Sequence, residues 1–397
     1  MDKHEIMGWC PTPLRPAISG DGLIARIYPK LGFLSSNQLI KLATLSLKYG
    51  NGELNLSNRA GLQIRGITEK QYPDFLNDLI SSRLVEPSQT FFNITTTPFW
   101  TDRQEYSVLV DNIEKLLTKL SELPDKFGIS VDIEKNPSLG EVSADIRLEQ
   151  TFDNKFIVRA DGNDYGLLVP LTEAPHLIYQ IAEWFLSSGG ATSGRGRMRS
   201  HTSQGFKIPQ FGKQKAARQK FSTIPKLGKT NNGTFVGIPF GEVNADTLLD
   251  IAKCVTGCRL TPWRRLLLEH WDDITNLNLI TNNNDPILKF SACIGKPRCH
   301  QANTDVRKLA KSIAYNKQNF VQLPDHLNIR NPLYHISGCS KGCANPKPAN
   351  VTFVANHKSK YNIIYNGSTS DTPKFHDISE KKIIANALDY LKVPDDP

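Results

Sequence analysis

The sequence predicts an α/β (α+β) fold built by duplication about a pseudo-two-fold axis, and three observations predict it. A strand–helix–strand–turn–strand unit occurs twice, each copy is followed by a longer α/β stretch, and a strongly basic segment joins the halves. Internal repetition of this kind decides the architecture before any single element does.

In the first unit, Gly22 to Ile27 alternates apolar and polar residues as a half-buried strand does. A helix follows over 37–49. Ser35 and Gln38 form a capping box at its start, Leu39, Leu42, Ala43 and Leu47 give its apolar stripe, and Gly50 closes it. Two strands follow, around Leu54 to Arg59 and Leu62 to Arg65. The second unit repeats the order with a strand at Gly233 to Ile238 and a helix over 245–256 between Asn244 as N-cap and Gly257 as C-cap. Arg259 to Arg264 and the apolar run Leu266-Leu267-Leu268 complete it. Each unit offers an arginine at its tight turn, Arg59 in one and Arg264 in the other. The longer stretch after the first unit predicts helices near 107–120 and 173–187, and the one after the second ends in a helix near 379–391. The expected organisation is a first repeat at 1–88, a first α/β module at 89–192, a basic linker at 193–230, a second repeat at 231–285 and a second α/β module at 286–397.

Composition bounds the class. The chain of 397 residues is long enough for two or three domains, and 39% apolar with 22% charged residues describes a globular protein. No run approaches the roughly 18 apolar residues of a membrane span, and the charged start Met1-Asp2-Lys3-His4-Glu5 does not read as a secretory signal. The cytoplasm is the expected location, with no membrane partner. The net charge of +9 is concentrated between Arg195 and Lys229, where there are ten Lys or Arg and no acid. Such a run suits a solvated linker, an acidic small molecule or nucleic acid. Few aromatics interleave it, which weighs against nucleic acid.

The strongest chemical signal is Cys293-x5-Cys299, then 39 residues, then Cys339-x3-Cys343. Four thiolates are what a cubane 4Fe–4S cluster requires, one per iron. Gly295, Pro297, Gly338, Gly342 and Pro346 surround them, and small residues let backbone N–H groups approach cluster sulfides. Two other readings stay open: structural zinc, although its pairs are usually spaced by two to four residues, and buried, chemically idle thiols. Cys254 and Cys258 share the x3 spacing but fall at the end of a helix, Cys254 facing the core and Cys258 starting a strand. Cys10 stands alone in Trp9-Cys10-Pro11.

This cysteine pattern behind a duplicated module resembles the nitrite/sulfite reductase superfamily, whose four cysteines hold a cubane cluster, the last bridging to a sirohaem iron. The resemblance implies two ferredoxin-like half-domain repeats, with Cys293, Cys299, Cys339 and Cys343 as the metal ligands. Arg59 in Ser57-Asn58-Arg59 matches a tetrapyrrole-binding arginine, Gln63-Ile64-Arg65-Gly66 matches the reductases' Gln-x-His-Gly, and Lys126 matches the first of two active-site lysines. The second lysine falls at Gly128, Phe92 stands where the reductases have an arginine, and Lys341 replaces an Asn between the last two cysteines. The chain therefore lacks cations that six-electron reduction of an oxyanion needs.

Over nearly the whole chain the sequence is more similar to the precorrin-3B synthase family. Cys10-Pro11, Gly20-Asp21-Gly22-Leu23, Ser57-Asn58-Arg59-Ala60, Leu62-Gln63-Ile64-Arg65-Gly66, Pro239-Phe240-Gly241, Leu260-Thr261-Pro262-Trp263-Arg264 and Ser337-Gly338-Cys339 carry that resemblance, with Gly61 a departure from an expected Asn. It implies an O2-dependent monooxygenase of aerobic cobalamin biosynthesis that hydroxylates the substrate precorrin-3A at C20 and closes the ring A γ-lactone. The implied cofactor is a 4Fe–4S cluster. O2 is the co-substrate, and NADH or reduced ferredoxin or flavodoxin is the electron donor. A further non-haem iron is allowed for, with His300 and His335 as candidates by position only. On this resemblance Lys126 and Lys341 are the catalytic candidates and Arg59, Arg65 and Arg264 the substrate-binding ones. Guanidinium pairs bidentately with carboxylate, so arginines on opposed repeats suit a polyacidic macrocycle. A sirohaem sulfite or nitrite reductase is the second reading, and a non-catalytic iron–sulfur or zinc protein binding nucleic acid the third.

Overall fold

The computed structural model describes residues 11–85, 92–120, 123–221, 224–270, 277, 279–316, 333–357 and 359–393. Cys10 lies outside them.

The first repeat contains β1 (Ala17–Ser19), β2 (Gly22–Ile27), β3 (Phe33–Ser35), α1 (Ser36–Tyr49), β4 (Glu53–Leu56), β5 (Leu62–Ile67) and α2 (Tyr72–Ser81). The capping box at Ser35 and Gln38 is present, so the helix starts where its orphan N–H groups find acceptors. The first module contains β6 (Asn93–Thr96), α3 (Arg103–Leu117), β7 (Gly128–Asp132), β8 (Ile146–Gln150), β9 (Phe156–Ala160), β10 (Tyr165–Val169), α4 (Ala174–Ser187), α5 (Met198–Ser203) and β11 (Lys215–Ala217). The second repeat follows with β12 (Gly228–Thr230), β13 (Gly233–Gly237), β14 (Glu242–Asn244), α6 (Ala245–Cys254), β15 (Gly257–Leu260) and β16 (Arg265–Glu269). Asn244 caps α6 as expected. The helix ends at Cys254, and Gly257 opens β15 rather than capping it. The second module holds β17 (Phe290–Ala292), α7 (Val306–Ala314), β18 (Tyr334–Ser337), β19 (Ala349–His357), β20 (Lys360–Gly367), β21 (Phe375–Ser379), α8 (Glu380–Ala385) and α9 (Ala387–Leu391). The single C-terminal helix expected near 379–391 is two short ones, broken at Asn386.

The duplication extends to the strand order. The repeats form sheets β1-β2-β5-β4-β14 and β12-β13-β16-β15-β3, so each sends one three-residue strand into the other's sheet. The exchange has a backbone cause. Leu31 and Phe240 take left-handed conformations (φ 57° and 56°), each followed by a glycine at positive φ, Gly32 and Gly241. A Cβ on Gly32 would lie 3.0 Å from the carbonyl oxygen of Leu260, and one on Gly241 2.8 Å from that of Leu56. Glycine is thus required where each chain crosses to the other sheet. Helices α1 and α6 pack side by side in one core with Leu39, Leu42, Leu248 and Ile251 buried. Each such side chain contributes roughly 1.5–3 kcal/mol of burial.

The modules are duplicated too. In the first, β6, β7 and β8 run parallel and β9 and β10 return antiparallel; in the second, β17, β18 and β19 run parallel and β20 and β21 return. The basic segment is built into this architecture rather than strung between domains. Its β11 completes the first module's sheet against β10, and its β12 opens the second repeat's sheet against β13.

Candidate functional site

The four cysteines converge at the carboxyl ends of two adjacent parallel strands. Cys293 and Cys299 follow β17, and Cys339 and Cys343 follow β18, so the sheet brings together pairs separated by 39 residues. Cys293, Cys299 and Cys339 are half-buried and Cys343 is exposed. The backbone N–H of Gly338 donates to Cys293 Sγ at 3.2 Å. A Cβ on Gly338 would stand 2.7 Å from that of Ala302, so glycine lets this N–H reach the sulfur. Burial pushes the Cys293 thiol up, and Cys299 and Cys339 add to that by their proximity. Desolvation likewise raises Cys343 despite its exposed edge, and the other three cysteines reinforce it against the opposing charge of Lys341. The four sulfurs therefore share one electrostatic neighbourhood. Among the described residues, no three His, Cys, Asp or Glu are gathered closely enough for a single metal ion. The backbone N–H groups that face a sulfur here, those of Gly338 and Gly295, are both turned to Cys293. Cys254, expected to face the core, is exposed, because α6 turns its apolar stripe of Leu248, Ile251 and Ala252 inward instead; Cys258 is buried on β15.

Beside the cysteines opens a cleft of about 660 Å³. Its walls come from the first module (Ser138, Gly140 to Asp145, Arg147, Arg159, Asp161), the basic segment (Arg197, Arg199, Arg218), both turns (Asn58, Pro262, Trp263) and the loop directly after Cys343 (Ala344 to Lys347). Carboxylates hold the cations in place. Arg147 and Arg199 share Asp161, each at 2.9 Å, Arg197 pairs with Asp145 at 2.9 Å, and Arg218 pairs with Asp164 at 2.9 Å. Across the mouth, Lys347 of the second module meets Glu141 of the first at 2.9 Å. Desolvation raises Asp161, but Arg199 and Arg147 outweigh it and hold the carboxyl below its usual range. Asp132, fully buried beneath the Ser138–Leu139 loop, is pushed up to about 7 by desolvation, against the hydrogen bonds it accepts from Ser138 and Leu139.

The predicted residues divide. Arg59 reaches the cleft wall, with Nη2 3.4 Å from Ser143 Oγ. Arg264 donates to Ser291 Oγ and to the carbonyl of Ala344, both at 3.1 Å, which ties the second turn to the Cys343 loop; it lines an adjoining cavity of about 190 Å³. Burial, with Arg307 nearby, lowers its guanidinium to about 10. Arg65 is not among the cleft's lining residues. Its side chain is 4% exposed, and the guanidinium is engaged by Asp21 at 2.8 Å, Ser19 Oγ at 2.9 Å and the carbonyl of Arg298 at 3.2 Å, so it anchors the loop that carries Cys299. Lys126 lines a neighbouring cavity of about 330 Å³ that shares Arg197 with the cleft, and Lys341 projects into solvent between the last two cysteines. His335 is fully buried on β18; desolvation and then the charge of Arg264 push its imidazole down to about 4, so it is neutral. His300 is exposed beside Cys299.

Sequence reading missed Arg147, Arg197, Arg199, Arg218, Trp263 and Lys347 as lining residues. Arg197, Arg199 and Arg218 sat inside the basic run taken as a linker, and the alternation of Arg147 with Glu149 on β8 was a signal of buried pairing.

The duplicated sheets have the fold shared by nitrite/sulfite reductase-like proteins. Residues 15–82 match the family described as Nitrite/Sulfite reductase ferredoxin-like half domain. The NirA protein of Mycobacterium tuberculosis superposes with a TM-score of 0.65 at 14% identity, over 92% of this chain and 79% of that one. Among curated proteins, the chain is similar to the Precorrin-3B synthase of Sinorhizobium sp at 24% identity, over 92% of this chain and 84% of that protein. It is also similar to the Ferredoxin–nitrite reductase of Synechococcus elongatus at 22%, over 88% of this chain and 79% of that one. No helix among the described residues is long and apolar enough to cross a membrane.

Proposed function

We propose that the chain is an oxidoreductase that carries a 4Fe–4S cluster on Cys293, Cys299, Cys339 and Cys343 and oxidises a polycarboxylated tetrapyrrole. The carrying observation is the contiguity of the two sites: the loop after Cys343 forms one wall of an arginine-lined cleft whose volume suits a large ligand. Within that reading the substrate is precorrin-3A, in keeping with similarity to a precorrin-3B synthase over most of both chains. One oxygen atom of O2 enters the substrate at C20 and the other leaves as water, with two electrons from NADH or a reduced ferredoxin or flavodoxin and two protons. The ring A acetate oxygen bonds C1 as the C1=C20 double bond is consumed, and its carboxyl proton goes to the oxygen at C20, which closes the γ-lactone. The cluster supplies one-electron transfer when bound. The chain's own residues do the rest: Arg59 and Arg264 hold carboxylates from the two turns, and the ion-paired arginine wall fixes the rim and excludes water.

A sirohaem-dependent reductase is the second reading, favoured by the fold shared with NirA and by the nitrite reductase relative. Against it, Gly128 and Phe92 stand at the positions where the reductases resembled by the sequence carry a lysine and an arginine, cations that a small oxyanion would need. The visible spectrum of anaerobically purified protein separates them. The proposal expects a broad cluster absorption without tetrapyrrole bands; bound sirohaem with sulfite- or nitrite-dependent oxidation of a reduced dye would overturn it.

A further inference from the structure

The two turns that meet at the cleft are equivalent in backbone but not in chemistry. Ser57 Oγ accepts from the N–H groups of Arg59 and Gly61, at 3.4 and 3.1 Å, and Thr261 Oγ1 accepts from those of Trp263 and Arg265, at 3.4 and 3.3 Å. Ala60 and Arg264 occupy the same left-handed conformation, φ 55° and 57°. These contacts fix the register: Arg264 is the counterpart of Ala60, and the counterpart of Arg59 is Trp263. The pseudo-two-fold axis therefore sets a guanidinium on one turn against an indole on the other.

Trp263 is held as a platform. It stacks with Phe99 at 6.1 Å and 21° and meets the edge of Phe235 at 6.4 Å and 88°, so its ring plane is fixed by aromatic neighbours. It lines both the cleft and the smaller cavity beside it, together with Pro262 and Ile224. The rest of the lining is polar and cationic, including Arg197, Arg199 and Arg218. A cleft with one flat apolar station and one cationic wall matches a ligand that has a planar conjugated face and an anionic rim.

We infer that Trp263 is the surface on which the macrocycle lies, positioning it so that its carboxylated rim meets Arg59 and the arginine wall. The inference rests on the tetrapyrrole reading and adds the residue that orients the ring. Aromatic stacking of a flat conjugated ligand does not depend on the ligand's hydrogen-bonding edge, so an unreactive porphyrin of the same rim chemistry serves as a probe.

The experiment is titration of the full-length, cluster-loaded protein with uroporphyrin III, an octacarboxylate, followed by the shift of the porphyrin Soret band and by equilibrium dialysis. Trp263→Phe keeps an aromatic face, and Trp263→Leu keeps apolar bulk against Phe99 and Phe235 without one; circular dichroism and iron content confirm that both fold and load. The expected result is affinity within about threefold of wild type for Trp263→Phe. Trp263→Leu should lose roughly tenfold, equivalent to about 1.4 kcal/mol, together with the Soret shift. Wild-type affinity and an unchanged Soret shift in Trp263→Leu would overturn the platform while leaving the tetrapyrrole reading standing. Failure of the wild-type protein to bind the porphyrin would remove both.

Discussion

The most informative perturbation of the cleft is Asp161→Asn. Asp161 carries the charge that neutralises Arg147, whose side chain is 2% exposed, at 2.9 Å, and it also pairs with Arg199. Two other N–H groups of Arg147 donate to the carbonyls of Leu139, at 2.9 Å, and Val142, at 2.6 Å. Those carbonyls belong to the loop that walls the cleft, so the pair both stabilises the module and shapes the site. Replacing Asp161 leaves a buried guanidinium without a counter-charge, a change worth about 3–5 kcal/mol. The asparagine oxygen can still accept and the two carbonyl bonds survive, so the lower end, about 3 kcal/mol, is expected. Equilibrium urea unfolding followed by circular dichroism measures it, with the slope unchanged and the midpoint lowered. The double variant with Arg147→Met should recover part of the loss, because it removes the stranded charge as well. A loss below about 1 kcal/mol, or strictly additive losses in the double variant, would refute the electrostatic account. The pH dependence has a definite sign. Asp161 is held below its usual range, so its stabilisation is present above the unfolded value near 3.9 and is lost as pH falls through the lower folded value.

Other outcomes follow from the same geometry. Cys299→Ser and Cys343→Ser should each lose the brown cluster absorption and most of the roughly four irons per chain that a cubane requires, while Cys254→Ala and Cys258→Ala keep them; iron and sulfide analysis decides this. Asp132 has its folded value raised to about 7, so it binds a proton in the native state that the unfolded chain releases near pH 4, and wild-type stability should fall as pH rises between those values. Asp132→Asn should flatten that slope in unfolding curves taken across the range; an unaltered slope would mean Asp132 titrates normally. Glu141→Gln frees Lys347 at the mouth of the cleft and should tighten uroporphyrin III binding by a few fold at low salt, with the gain gone at 0.5 M salt, where screening is strong. Weaker binding at low salt would show that the bridge supports the site instead of competing for it.

Much of the fold was legible because its signals are local. The capping box of Ser35 and Gln38, the cap at Asn244 and the α1 stripe of Leu39, Leu42 and Ala43 lie within one or two helical turns; Leu47, expected in that stripe, is exposed instead. The exchange of β3 and β14 was not legible. Strands of three residues show no alternation, and their partners β15 and β4 lie about two hundred residues away in sequence. The two turns were recognised as equivalent, but arginine was matched to arginine; the hydroxyls of Ser57 and Thr261 place Arg59 opposite Trp263. Arg65 illustrates the limit of residue type as a signal, since an arginine that binds a carboxylate ligand and one that binds Asp21 look alike in sequence. The basic run from Arg195 to Lys229 read as uncompensated charge because its partners, Asp145, Asp161 and Asp164, are supplied by a different stretch of chain. At Gly61, where the resemblance led to an expected Asn, a Cβ would stand 2.8 Å from the ring of Tyr28.

The central claim is tested most directly by incubating the cluster-loaded protein with precorrin-3A, a reductant and ¹⁸O₂, with mass spectrometry of the tetrapyrrole. The account predicts one labelled oxygen atom in the product, no conversion when either oxygen or reductant is left out, and no reduction of sulfite or nitrite by the same preparation. Recovery of unlabelled precorrin-3A under the complete conditions, alongside reduction of sulfite or nitrite, would contradict it.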